Sequence, residues 1–162
     1  MKNHLELYEY SKSVFDEEIS RFHRIQNKAG VFITIIASFI GIFSAMIVSS
    51  HLTAFVQNKF SEELILVIIV GFLLSFIFAF LSFRIEGIKM PPLNQDMISV
   101  FKDHQIDDIY YGFSEAYISY LEENRRICDQ KIDKLKYSYW LFFITVVLSM
   151  MAIVWIVLSK PS

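Results

Sequence analysis

The stretch NKAGVFITIIASFIGIFSAMIVSS, residues 27–50, carries its last charge at Lys28 and then runs to Ser50 without another. At roughly 1.5 Å per residue, residues 29–50 make a helix of about 30 Å, the thickness of a bilayer's hydrocarbon core. A buried helix in a small soluble bundle needs a polar face, and this stretch has none that is charged. Two further blocks share its character: 64–83 (LILVIIVGFLLSFIFAFLSF) and 138–158 (SYWLFFITVVLSMMAIVWIVL) contain no Asp, Glu, Lys, Arg or His. A charge at the centre of such a helix costs about 2.5–3.5 kcal/mol on insertion scales, and all three blocks avoid it. A chain that is 54% hydrophobic and only 20% charged is too apolar for an ordinary soluble domain of 162 residues. The expected class is an all-α integral membrane protein with three transmembrane helices and a cytoplasmic helical region.

Lys and Arg set the expected orientation, because short cytoplasmic segments retain them. Residues 1–28 hold five (Lys2, Lys12, Arg21, Arg24, Lys28) and residues 84–137 hold eight (Arg84, Lys89, Lys102, Arg125, Arg126, Lys131, Lys134, Lys136). The hairpin 51–63 has only Lys59 and the tail 159–162 only Lys160. The N-terminal helix 1–28 and the segment 84–137 are therefore placed in the cytoplasm, and the hairpin 51–63 and the tail 159–162 outside. Tyr137, Tyr139 and Trp140 then fall at the inner interface of the third span and Trp155 near the outer one, where amphipathic rings are favoured. The first apolar run begins after 28 mixed residues and is too long for a signal-peptide core, so the N-terminus is expected to be retained. Cys128 is the single cysteine, in a charged segment, and is expected to stay a reduced thiol.

The two cytoplasmic segments carry helical periodicity. Leu5, Tyr8, Phe15, Ile19, Phe22 and Ile25 share one face, and no Gly or Pro precedes Gly30, so the helix is expected to run into the first span. Gly87, Pro91 and Pro92 end the second span, and a short helix is expected around Met97 to Lys102. Ser114 is the expected N-cap of a helix continuing into the third span, with a stripe at Tyr117, Leu121, Asn124, Cys128, Ile132, Leu135 and Tyr139. That stripe would pack on the N-terminal helix of its own chain, or form a seam between copies with Asn124 as the polar register residue.

Inside the spans, small residues recur four apart: Ala37, Gly41 and Ala45 in the first, Gly71, Ser75 and Ala79 in the second. Lipid supplies little hydrophobic drive for helix association, so close backbone approach at small residues and hydroxyl bonds do the work. Thr34, Ser38, Ser44, Thr145 and Ser149 add such hydroxyls. The short connection favours a hairpin in which the two small faces meet, and a contact between subunits is the alternative. The surface left over points to a homo-oligomer embedded in membrane lipid.

No phosphate loop, HExxH, CxxC pair or GxSxG is present, so no catalytic residue, cofactor or metal site is expected, and no nucleic-acid partner. Asp103, Asp107 and Asp108 are expected to be solvated charges rather than a cation site. Arg84, Arg125 and Arg126 form the candidate phosphate- or lipid-binding set, weighed against ion pairing of Arg126 with Glu122 and Arg125 with Asp129.

The charged N-terminal helix ending in RIQNKAG (Asn27, Lys28, Ala29), and the later ENRRICDQKIDKLKYSYW (Asn124, Lys131) leading into a last span, resemble small bacterial antiphage membrane effectors of the Pycsar-effector and SLATT kinds. The resemblance implies an inner-membrane effector that perturbs or permeabilises the membrane when a cytoplasmic protein or nucleotide signals infection. The alternative function is an accessory or scaffold subunit whose helices recruit a soluble partner to a membrane complex.

Overall fold

The computed structural model of the chain describes residues 2–48, 59–84, 87–90 and 105–158. They form three helices, α1 (Lys2–Val48), α2 (Lys59–Phe83) and α3 (Ile106–Leu158), and no strand occurs among the described residues. Each helix contains a stretch long and apolar enough to cross a membrane. The short helix expected around residues 97–102, the hairpin tip, Pro91, Pro92 and Asp103 lie outside the described residues.

The helices end where their local chemistry requires. α1 is unbroken over 47 residues, and its hydroxyls bond inside the helix: Ser20 Oγ donates to the Asp16 carbonyl, Thr34 Oγ1 to Gly30 and Ser38 Oγ to Thr34. α3 begins at Ile106 rather than after Gly112. Asp107 and Asp108 occupy its first turn, where carboxylates complement the helix dipole. The N–H groups of Asp108 and Ile109 donate to the Gln105 carbonyl at 3.1 and 3.2 Å. Ser114, expected as the N-cap, lies inside the helix, and its hydroxyl donates back to the Tyr110 carbonyl at 2.7 Å. The start lies earlier because the acidic turn already satisfies the dipole, and Gly112 is tolerated within the helix.

The chain divides into two compact units: residues 1–25 with 85–130, and residues 26–84 with 131–162. In the first unit α1 buries Ser11, Phe15, Glu18, Phe22 and Ile25, at alternating spacings of four and three, and α3 buries Ile109, Ser114, Asn124 and Cys128. Aromatic rings join them. Tyr8 lies 5.3 Å from Tyr110, and Tyr117 lies 5.1 Å from Phe15 between ring centroids. The stripe beginning at Tyr117 and Asn124 is thus filled from within the chain.

The second unit keeps the same spacing on all three helices. α1 buries Ala29, Phe32 and Ile36; α2 buries Ile68, Phe72, Ser75, Ala79 and Ser82; α3 buries Lys131, Leu135, Ser138, Thr145, Ser149 and Ala152. A four-three alternation is the 3.5-residue period of knobs-into-holes packing. The polarity of this unit is inverted relative to a soluble core. Its interior holds serines, a threonine and a lysine, while Leu66, Val67, Leu73, Ile77, Phe80, Phe143 and Val154 stand exposed.

The inward hydroxyls join α2 to α3. Ser138 Oγ donates to the Ser75 carbonyl at 2.6 Å, and Ser75 Oγ lies 2.9 Å from the Ser138 carbonyl. One heptad away, Ser82 Oγ donates to the Lys131 carbonyl at 2.8 Å, and Lys131 Nζ donates to the carbonyls of Ser82, at 3.1 Å, and Arg84. Lys131 therefore caps the last turn of α2, whose terminal carbonyls have no partner in their own helix. Each interhelical hydroxyl bond in lipid contributes about 0.6 kcal/mol.

Candidate functional site

The two small-residue stripes have different surroundings. Ala37, Gly41 and Ala45 are exposed, and a Cβ built on Gly41 meets nothing within 4 Å. Thr34, Ser38 and Ser44 are exposed beside them. At 100° per residue these six positions cover a sector of about 120°, opposite the buried Ala29, Phe32 and Ile36. Ser75 and Ala79 are fully buried, and a Cβ on Gly71 would collide with Thr145 Oγ1 and lie 3.1 Å from its Cγ2. Gly71 and Ser75 thus address Thr145 and Ser138 of α3, while Ala79 packs with Ala29, Ile36 and Leu135. The α1 stripe is left facing outward.

The arginines belong to different units. Arg84 is exposed at the end of α2, and its carbonyl accepts Lys131. Arg125 Nε lies 3.9 Å from Glu18 Oε2, and Arg126 is 71% exposed with Glu123 at 4.0 Å. Neither takes the partner expected along α3, because Asp129 faces α1. Its carboxylate accepts Arg21 at 2.7 Å, while Arg21 also reaches Glu18 at 3.1 Å. The bond to Asp129 holds the Arg21 guanidinium above its ordinary range; burial works against it and Glu18 adds to it.

Glu18 is the centre of this charged layer. Its carboxylate is 9% exposed and is faced by Arg21, Arg125 and the Cys128 thiol. Burial, reinforced by Glu18, pushes the Cys128 thiol up to about 12. A hollow of about 340 Å³ beside it is lined by Glu17, Glu18, Arg21, Arg24 and Arg125. Two carboxylates and three guanidinium groups are interleaved in it. Among the described residues no group of three His, Cys, Asp or Glu side chains is placed to hold a metal ion.

A second polar feature fixes the chain after α2. Asn124, 1% exposed, accepts the Lys89 N–H at Oδ1 and donates from Nδ2 to the Lys89 carbonyl, both at 3.0 Å. Lys89 Nζ meets Glu123 at 2.8 Å. The carboxamide satisfies one backbone unit completely, as a neighbouring β-strand would. Sequence reasoning assigned Asn124 to the buried stripe without this partner. It placed Ile132 and Tyr139 on the stripe too, where the structure buries Lys131 and Ser138 and leaves Tyr139 42% exposed.

Two hollows flank Tyr139 where the apolar blocks of α1 and α3 begin. One, about 500 Å³, is lined by Asn27, Lys28, Val31, Ile35, Tyr139 and Phe142, among others. The other, about 370 Å³, is lined by Lys136, Tyr139, Trp140 and Phe143. The Tyr139 ring packs on Phe32 with centroids 4.2 Å apart. Compared with protein-family models, curated proteins and solved structures, the chain matches none.

Proposed function

We propose that the chain is a multi-pass inner-membrane protein, N-terminus cytoplasmic and C-terminus external, that self-assembles through the outward face of α1 and perturbs the membrane in the assembled state. The inverted second unit supports insertion, since lipid solvates Leu66, Ile77 and Phe80 as well as a core would. The observation that carries self-assembly is the unoccupied 120° sector containing Ala37, Gly41 and Ala45. In lipid such a sector gains from close helix contact, and among the described residues no other helix of its own chain lies on it. The charged layer at Glu18 and Arg21 is then the part of the cytoplasmic head on which a protein or nucleotide trigger acts, and the resemblance to antiphage effectors gives the setting. The activity is non-enzymatic.

The test is dye leakage from liposomes holding purified protein, read with cross-linked oligomer size, and membrane potential after overexpression in cells. Wild type is expected to leak dye and form oligomers, and Gly41→Leu to lose both while keeping its helical content. An inert monomeric wild type in both assays refutes the reading.

One observation favours the accessory-subunit reading instead. The first unit leaves Tyr10 71%, Tyr111 51% and Ile118 47% exposed, apolar surface that a soluble partner would cover. Co-purification with one partner in fixed ratio, lost in Tyr10→Glu and Ile118→Glu, would establish it.

A further inference from the structure

We propose that the paired hollows at Tyr139 form a binding site for an anionic phospholipid of the cytoplasmic leaflet, its phosphate held by Lys28 and Lys136. The proposal rests on the membrane reading above. The two lysines stand at matching places, each just before the apolar block of its helix, and Phe32 against Tyr139 sets α1 and α3 side by side at that level. From Lys28 to Ile35 and from Lys136 to Phe143 are seven residues each, about 10 Å of helix. Each hollow therefore runs from an ammonium into apolar wall over that length.

The chemistry is that of a lipid rather than of a soluble anion. A site for free phosphate would be ringed by donors, whereas here Val31, Ile35, Phe142 and Phe143 line the hollows, Tyr139 and Trp140 add largely apolar rings, and Asn27, Lys28 and Lys136 mark the polar end. Among the described residues Lys28 pairs with no carboxylate, and Lys136 has only the exposed Asp133 at 3.4 Å, a pair of little strength. Two under-neutralised ammoniums over an apolar groove match a negative headgroup above acyl chains, and basic pockets between helices on the cytoplasmic side take such headgroups. Tyr139, with a hollow on either side, and Trp140, 67% exposed, supply the interfacial rings. The position of the site differs from that of Arg84, Arg125 and Arg126.

Trp140 is a built-in reporter once Trp155, the other tryptophan, is changed to Phe. Full-length Trp155→Phe protein is reconstituted in phosphatidylcholine vesicles doped with a small equal fraction of brominated phosphatidylglycerol or brominated phosphatidylcholine. The anionic quencher is expected to act at several-fold lower mole fraction. Lys28→Gln and Lys136→Gln should each reduce that preference about five-fold, and the double variant should abolish it. Lys12→Gln, in the first unit, should leave it unchanged. Equal quenching by the two lipids, or an equal loss in Lys12→Gln, overturns the site while leaving insertion intact. No quenching of Trp140 by either lipid overturns insertion and the site together.

Discussion

Gly71 and Gly41 allow a comparison in which intrinsic helix propensity cancels. Gly→Ala in the interior of a helix gains about 1 kcal/mol from propensity alone. At Gly41 nothing lies within 4 Å of the new Cβ, so that gain stands unopposed within the protomer. At Gly71 the new methyl collides with Thr145 Oγ1 and comes 3.1 and 3.3 Å from Cγ2 and Cβ. Thr145 is 3% exposed and donates to the Leu141 carbonyl at 2.7 Å, so turning it aside gives up a hydrogen bond in a packed interior. Overpacking of this kind costs about 1–3 kcal/mol. Gly71→Ala is therefore expected to be less stable than Gly41→Ala by about 1–3 kcal/mol, measured by denaturant unfolding in detergent micelles followed by helical circular dichroism. Thr145→Ala removes the colliding atoms, so its double mutant with Gly71→Ala should show a favourable coupling of about 1 kcal/mol or more. Equal stabilities of the two alanine variants, with no coupling to Thr145, would refute the placement of Gly71 against α3.

Three further outcomes follow from the buried polar groups. Asn124→Leu strands the Lys89 N–H and carbonyl and should cost about 1–3 kcal/mol, seen as faster tryptic cleavage after Lys89. Lys131→Met keeps the side-chain length but removes the cap on Ser82 and Arg84, so the last turn of α2 should exchange its amide hydrogens faster, with a stability loss of about 1.5–3 kcal/mol. The Cys128 thiol, pushed up to about 12 from its ordinary value near 9, should resist maleimide at neutral pH until the chain is unfolded. Because the unfolded thiol ionises first, Cys128 stabilises fully below pH 9. That contribution is lost as pH rises from 9 through about 12, a loss that Cys128→Ala should lack.

The three apolar blocks were legible because charge is absent from them, and the continuity of α1 and α3 across their charged and apolar parts because no proline interrupts either helix. The inward face was legible only in part. On α1 the sequence stripe took in Leu5, which is 39% exposed, and omitted Ser11 and Glu18, which are buried. On α3 it slipped by one residue, preferring Ile132 and Tyr139 to Lys131 and Ser138. Both slips come from ranking positions by hydrophobicity when each buried polar side chain has a specific partner: Glu18 the arginines, Lys131 the end of α2, Ser138 the Ser75 backbone. A strict 3.5-residue period, followed from Ser11 to Ile36 and from Tyr117 to Ala152 without regard to polarity, finds all of them.

The same reasoning explains why two stripes of equal spacing differ in surroundings. Hydrophobicity does not distinguish inside from outside once the solvent is lipid, so Ala37-Gly41-Ala45 and Gly71-Ser75-Ala79 are equivalent by composition. What separates them is the facing helix. α3 presents Ser138 and Thr145 one heptad apart, and the α2 stripe answers with Ser75, whose hydroxyl and carbonyl both bond to Ser138, and with Gly71, which leaves room for Thr145. Toward α2 and α3, α1 turns Ala29, Phe32 and Ile36, whose bulk fills the core beside Ala79 and Leu135. Turning the Gly41 stripe inward would remove Phe32 and Ile36 from that core and leave a void that small residues cannot fill. The small face of α1 is thus held outward by the large one opposite it.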